Sequence, residues 1–298
     1  MKNFSGKVAV ITGAGSGLGR EFADTAASLG MKLVLADIQA DALEKTTDAL
    51  LAQGVEVLAM VCDVSKAAHV EELADAAVAR FHGIHLVFNN AGVGSGGLIW
   101  ENSAEDWEWV LGVNLWGVIH GVRVFTRAML ECAKKDPTFE GHIVNTASMA
   151  GLLNAPAMGV YNVSKHAVVS LSETLYHDLQ LVNAPIGASV LCPYFVPTGI
   201  SHSHRNRPEE LKAEAAPTNS QIAAQALTVK AVESGKVSAR DVSRMTFDAI
   251  REGQFYIFSH PHALGGVAER MEAIVHAKNP PDPYAATPHV RDILRAKL

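Results

Sequence analysis

The sequence predicts an α/β fold in which a parallel sheet is wound on both faces by helices, giving three layers α/β/α. Two observations predict it. Short β-branched apolar runs alternate with helical stretches of ten residues or more, a spacing that demands right-handed crossovers between parallel strands. The strand-like runs are apolar throughout rather than alternating, so both sheet faces are covered.

Residues 7–12 read as the first strand, ending in a glycine cluster, and 18–29 as the helix that follows, stopped at Gly30. Residues 32–37 form a second strand and 40–53 a second helix, with Gly54 as its stop. A third strand is expected at 55–61, a helix at 66–81 and a fourth strand at 84–88. A long helical region spans 104–134, a fifth strand 142–147, a helix 159–181 and a sixth strand 187–192. Beyond Cys192 the pattern loosens. The polar segment 198–219 reads as a mobile flap, 239–251 as a helix, 254–259 as a last strand and 262–277 as a helix. Pro280, Pro281, Pro283 and Pro288 imply an extended tail. The whole of 1–298 is expected to be one domain, with 260–298 as a C-terminal extension.

Bulk composition narrows the function classes. A net charge of -6 argues against nucleic acid or an anionic membrane surface as partner. No apolar run approaches the roughly 20 residues of a membrane span, and none near the N-terminus suits a signal peptide, so a cytoplasmic protein is expected. Cys62, Cys132 and Cys192 are scattered and form no C-x-x-C pair, which points to reduced buried thiols and no metal. His202 and His204 have no acidic or cysteine partner nearby and read as solvated residues.

The chemistry lies at the carboxyl ends of the strands, where ligands bind in such sheets. Thr12-Gly13-Ala14-Gly15-Ser16-Gly17-Leu18-Gly19 joins the first strand to the first helix. Glycines there let the backbone approach a pyrophosphate, which the helix N-terminus attracts. An ordinary structural turn is the competing reading. This is the dinucleotide (Rossmann-like) arrangement, with Gly13, Ser16, Gly17, Leu18 and Gly19 as contacts. Asp37, 18 residues beyond Gly19, is placed to accept the adenosine ribose hydroxyls, which favours NAD over NADP; a loop cap is the alternative. Ile38 is uncharged, and Arg20 is the one basic residue nearby in sequence. Asp63 and Val64, after the third strand, are candidates for the adenine.

Tyr161 and Lys165 stand four apart and share a helix face. A lysine ammonium beside a phenol favours the phenolate and suits Tyr161 to proton transfer. Ser148, just past the fifth strand, is placed to hold a substrate oxygen. Asn114 is placed to tie Lys165 to a water.

Taken together these motifs resemble the short-chain dehydrogenase/reductase family from about residue 7 to residue 198. Thr12-Gly13-x-x-x-Gly17-x-Gly19 looks like its cofactor motif. Asn89-Asn90-Ala91-Gly92 is similar to its sheet-stabilising stretch, with Asn90, Ala91 and Gly92 beside the cofactor. Asn114, Ser148, Tyr161 and Lys165 fall where the family keeps its catalytic tetrad. Pro193-Tyr194-Phe195-Val196-Pro197-Thr198 resembles its segment after the sixth strand, with Pro193, Val196 and Thr198 near the nicotinamide. The resemblance implies hydride transfer between NAD and a secondary alcohol or ketone, with Tyr161 as acid or base and Lys165 on the nicotinamide ribose. It also implies a homodimer or homotetramer paired through the helices at 104–134 and 159–181. Tyr194 stands where the family usually has glycine and would narrow the pocket. Leu152, Leu153, Met158, Tyr194 and Phe195 would favour a lipophilic or aromatic substrate, with Trp100 as a further lining candidate. Competing functions are a non-catalytic NAD-binding regulator, an NADP-dependent reductase, and a nucleotide-sugar epimerase or dehydratase. Retention of Ser148, Tyr161 and Lys165 argues against the regulator, and Asp37 against NADP.

Overall fold

Each expected strand forms, and each is carried to its place by a helical crossover. The computed structural model describes residues 1–212 and 215–297. In chain order the elements are β1 (Val8–Thr12), α1 (Gly17–Ser28), β2 (Lys32–Asp37), α2 (Ala40–Leu51), β3 (Val57–Val61), α3 (Ala67–Phe81), β4 (Leu86–Asn89) and α4 (Ala104–Leu111). They continue with α5 (Gly117–Lys135), β5 (Gly141–Thr146), α6 (Gly159–Leu181), β6 (Ile186–Cys192), α7 (Asn219–Glu233), α8 (Ala239–Glu252), β7 (Tyr256–Phe258), α9 (Leu264–Val275) and α10 (Pro288–Arg295). The seven strands are hydrogen-bonded in the order β3-β2-β1-β4-β5-β6-β7, every pair parallel. The chain reverses its direction of winding between β1 and β4, and at this switch the loops part to leave a crevice.

Alternate strand residues feed two separate cores, as the pleat requires. Ala9 and Ile11 join Phe22 of α1, Leu50 of α2 and Phe247 of α8 on one face. Val8 and Val10 join Leu73 of α3, Phe125 and Met129 of α5 and Leu179 of α6 on the other. Phe22 stacks on Phe88 at 4.4 Å between centroids, and Phe247 lies 5.5 Å from Phe88, so β4 is gripped from α1 and α8 together.

Four expectations need correction. The helical region at 104–134 is broken by a π-helical turn at Gly112–Trp116. The cause is Asn114, fully buried, whose side chain must satisfy its amide and is drawn to the backbone of Val93. The segment 198–219 is not a free loop over its described part. It coils into 3₁₀ turns at Gly199–Asn206 and Glu209–Leu211, and residues 213 and 214 of it lie outside the described residues. Helix α7 had no counterpart in the sequence reading, although Thr218 and Gln221 form a capping box at its start. The tail is not extended throughout, because Pro288 opens α10, where its fixed φ and missing N–H suit the first helical turn.

Candidate active site

One continuous cavity of about 1050 Å³ opens at the carboxyl edge of the sheet. Every site residue expected from the sequence lines it except Gly19 and Asn114, which stand directly behind its wall.

The turn between β1 and α1 floors one end. Gly17 sits at φ +55°, a conformation side-chain-bearing residues rarely adopt, and a Cβ on it would come 3.1 Å from Cβ of Thr198. A Cβ on Gly19 would lie 2.0 Å from the carbonyl oxygen of Gly13, so only glycine closes this turn. Asn90 fastens the turn to the end of β4: its amide donates to Thr12 O at 3.0 Å, and its backbone N–H donates to the Thr12 hydroxyl at 2.9 Å. The result is a rigid rim of backbone around the N-terminus of α1, which suits an anionic group.

Asp37 ends β2 facing this turn. Its Oδ2 accepts from the Gly15 N–H at 2.8 Å and its Oδ1 from the Gln39 N–H at 2.9 Å. It therefore does cap the loop, while each oxygen keeps a second lone pair and the residue lines the cavity. One cation nearby escaped the sequence reading. Arg205 comes from the 3₁₀ turn after β6, donates through Nε to Gln39 Oε1 at 3.1 Å, and lines the cavity beside Ile38. No local sequence signal joins positions 39 and 205. Asp63 Oδ1 accepts from both the backbone and the hydroxyl of Ser65, and with Val64 forms the outer edge of this end.

At the other end, Ser148, Tyr161 and Lys165 converge. Ser148 leaves β5 and donates from Oγ to Pro193 O at 3.3 Å, while accepting from the Ala150 N–H. Tyr161 and Lys165 occupy adjacent turns on the buried face of α6, with Nζ of Lys165 5.7 Å from the Tyr161 ring centre. Lys165 Nζ donates to Thr146 O at 2.9 Å. Burial holds the Lys165 pKa down to about 8. Burial likewise pushes the Tyr161 phenol up to about 12, against a smaller lowering from its hydrogen bond with Ser148. The sequence expectation that Lys165 lowers the phenol is not met: burial raises it, and the opposing influence comes from Ser148.

Asn114 is held by its own set of partners. Its Oδ1 accepts from the Val93 N–H, and its Nδ2 donates to Val93 O and to Ser164 Oγ, so both donors are spent. It does not bond Lys165; the two groups flank Gly92, where a Cβ would lie 3.4 Å from Asn114 Oδ1 and 3.6 Å from Lys165 Nζ.

The walls between the two ends are mostly apolar. Leu153, Met158, Tyr194 and Phe195 line them, whereas Leu152 is buried in the core and Trp100 is 77% exposed and lies outside the cavity. Leu227, Ala231 and Val232 of α7, and Ala273, Ile274, Tyr284, Val290 and Leu294 of the C-terminal region, complete the lining. The segment after β6 is held over the cavity by Ser203, which accepts from the Gly94 N–H at 2.8 Å. It is held also by Arg207, half-buried over the Trp109 ring and paired with Asp106 at 2.5 Å.

Known proteins share this arrangement. The family model described as short chain dehydrogenase matches residues 7–209. A structure of a short chain dehydrogenase/reductase from Burkholderia phymatum in complex with NAD is 57% identical, with a TM-score of 0.92 over 95% of this chain and 99% of that one. The CLA biosynthesis dehydrogenase/reductase of Lactiplantibacillus plantarum is 34% identical over 278 residues, 92% of this chain and 95% of its own. The 1-deoxy-11-beta-hydroxypentalenate dehydrogenase of Streptomyces avermitilis is 32% identical over 268 residues, 89% of each chain. With the glycine turn, the sheet order and the Ser148, Tyr161 and Lys165 cluster in one crevice, the chain belongs to the short chain dehydrogenase family of oxidoreductases.

Proposed function

We propose that the protein is an NAD-dependent dehydrogenase or ketone reductase acting on a lipophilic secondary alcohol or its ketone. The observation that carries this reading is the continuous cavity with a phosphate-suited glycine turn at one end and Ser148, Tyr161 and Lys165 at the other. Its volume exceeds the upper end of the range of about 300–1,000 Å³ common for one ligand, which leaves room for a dinucleotide and a substrate together.

In this reading Gly13, Ser16, Gly17 and Leu18 hold the pyrophosphate, Asp37 and Ile38 the adenosine ribose, and Asp63 and Val64 the adenine. Asn90, Ala91, Gly92, Pro193, Val196 and Thr198 border the nicotinamide end, and Lys165 reaches its ribose. The NAD complex of the 57% identical relative supports this assignment. The nicotinamide, when bound, supplies the acceptor or donor of hydride.

The protein's own groups handle the proton and the oxygen. Ser148 Oγ donates to the substrate oxygen and steadies the charge that develops there. Tyr161 gives its hydroxyl proton to that oxygen in reduction, or receives the carbinol proton in oxidation. Lys165, while charged, favours the phenolate over the phenol. Asn114 keeps the π-helical turn and the Val93 backbone in register, so that the Gly92 wall stays open beside Lys165. Apolar walls exclude water from the reacting atoms.

The test is NADH formation with purified protein across aliphatic, aryl and steroid-like secondary alcohols. Tyr161→Phe is expected to lower turnover by at least about a thousandfold, of the order seen when a reacting acid or base is removed, while NADH binding is retained. Comparable turnover in that variant would sink the mechanism.

The expected pairing of copies through α5 and α6 belongs to the same reading. Trp116 and Val163, on the surface at the start of these helices, are 52% and 44% exposed and would be covered by such pairing. Sedimentation velocity is expected to give a dimer or tetramer; a single monomeric species at micromolar concentration removes this part. The reduced thiols at Cys62, Cys132 and Cys192 suit the cytoplasmic setting expected for such an enzyme. Among the described residues no helix is long and apolar enough to cross a membrane.

A further inference from the structure

The far wall of the cavity comes from a part of the chain that the family model does not reach, since the match ends at residue 209. Helix α9 is laid against the loop that follows Ser148: a Cβ on Gly266 would sit 3.5 Å from Leu153 Cδ2. Arg270, Ala273 and Ile274 follow at i+4, i+7 and i+8, so they share the Gly266 face and lead away from Ser148 in steps of about 6 Å per four residues. All three line the cavity.

The chain then turns back over the same face. Asp282 accepts from the Tyr284 N–H at 2.9 Å and pairs with Arg291 at 2.6 Å, which locks the proline-rich turn to α10. That lock presents Tyr284, Val290 and Leu294 to the cavity, and Leu294 is only 7% exposed. The outer compartment is therefore a long apolar slot roofed by the tail.

One charge on this apolar wall is unanswered. Arg270 is half-buried, and among the described residues it makes no ion pair or hydrogen bond. Lys278 also lines the slot. Of the carboxylates that also line the cavity, Asp282 is engaged by Arg291, and Glu269 is exposed to water and forms no ion pair with Arg270. A guanidinium partly withdrawn from water on a largely apolar wall favours an anion, and carboxylate matches its planar fork.

We propose that α9 and the tail select an elongated, apolar secondary alcohol or ketone whose far end carries a carboxylate, received by Arg270. The inference rests on the hydride-transfer reading for the near end of the slot, where the carbinol meets Ser148 and Tyr161. Tyr284, Val290 and Leu294 cover the apolar body, and Lys278 adds long-range attraction at the mouth.

The experiment is calorimetric binding of a mid-chain hydroxy fatty acid and of its methyl ester to the NADH-loaded protein, with steady-state kinetics on the same pair using NAD. The acid is expected to bind about tenfold tighter than the ester, the scale of one charge-assisted hydrogen bond. Arg270→Gln is expected to erase that preference by raising the KM for the acid about tenfold with kcat little changed. Arg270→Lys is expected to restore part of it. Equal binding of acid and ester to the wild-type protein overturns the proposal, as does an Arg270→Gln loss shared equally by both. Acid-selective binding with no NADH formation leaves the slot as assigned and overturns the hydride-transfer reading instead. Turnover of simple secondary alcohols without acid preference does the reverse.

Discussion

Asp37 shows how one residue answers two demands. Its carboxylate oxygens each accept a backbone N–H, which fixes the glycine turn against β2, and the residue also lines the cavity. Removing the side chain should loosen the turn and remove the charge that repels a 2′-phosphate. Arg205, bonded to Gln39 next door, would then be the nearest cation to such a phosphate. Asp37→Ala is therefore expected to shift the ratio of kcat/KM for NAD over NADP by at least about tenfold toward NADP, equivalent to about 1.4 kcal/mol. An unchanged ratio takes the ribose role away from Asp37. The convergence of Tyr161, Lys165 and Ser148 was legible at this scale, because spacing alone puts two of them on one helix face and the third at the edge of the sheet. The balance of their titration was not, since it depends on how completely α6 is covered.

At the scale of elements, polar side chains hold the sheet to its helices. Asn89 of β4 donates to Asn145 of β5 at 2.8 Å, and Asn145 donates to Ser172 of α6 at 3.0 Å. The network is fully buried, so each member depends on its neighbours. Gly121 of α5 lies directly against it, and a Cβ there would fall 1.9 Å from Asn89 Oδ1. Gly121→Ala is expected to destabilise the fold by about 2–4 kcal/mol, through overpacking and a broken buried hydrogen bond, measured by urea unfolding. A loss under about 0.5 kcal/mol, the scale of a neutral surface change, shows that α5 is free to slide. The strands and crossovers were readable from their apolar runs. The π-helical turn was not, because the pull that creates it comes from Val93, 21 residues away from Asn114.

At the scale of the whole molecule, buried imidazoles contribute acid sensitivity. Burial lowers the pKa of His142 from 6.5 to about 3 and that of His85 from 6.5 to about 4. His142 sits within β5 with Nε2 2.7 Å from Ser189 Oγ, and its backbone N–H donates to His85 O. Because both folded-state values lie below the unfolded one, the unfolded chain binds more protons in this window. Stability is therefore fully present above about pH 6.5 and is lost as pH falls toward the folded values. The slope from His142 is about 1.4 kcal/mol per pH unit. Unfolding free energies measured from pH 7 to pH 4 are expected to fall, and His142→Gln to flatten that fall by about one proton. An identical slope in the variant places the acid sensitivity elsewhere.

The amino-acid sequence by itself determined the doubly wound parallel sheet, the glycine turn and the Ser148, Tyr161 and Lys165 cluster. Each of these follows from short-range rules: apolar runs, helix stops, and a repeat that returns the fourth residue to the same face. Tertiary structure decided what lies over the crevice. Arg205 meets Gln39, Arg207 pairs with Asp106, Gly266 rests on Leu153 and Leu294 reaches the cavity, all across separations of a hundred residues or more. Such contacts leave no periodic trace in the chain, because they depend on where whole helices come to rest rather than on the spacing of neighbours.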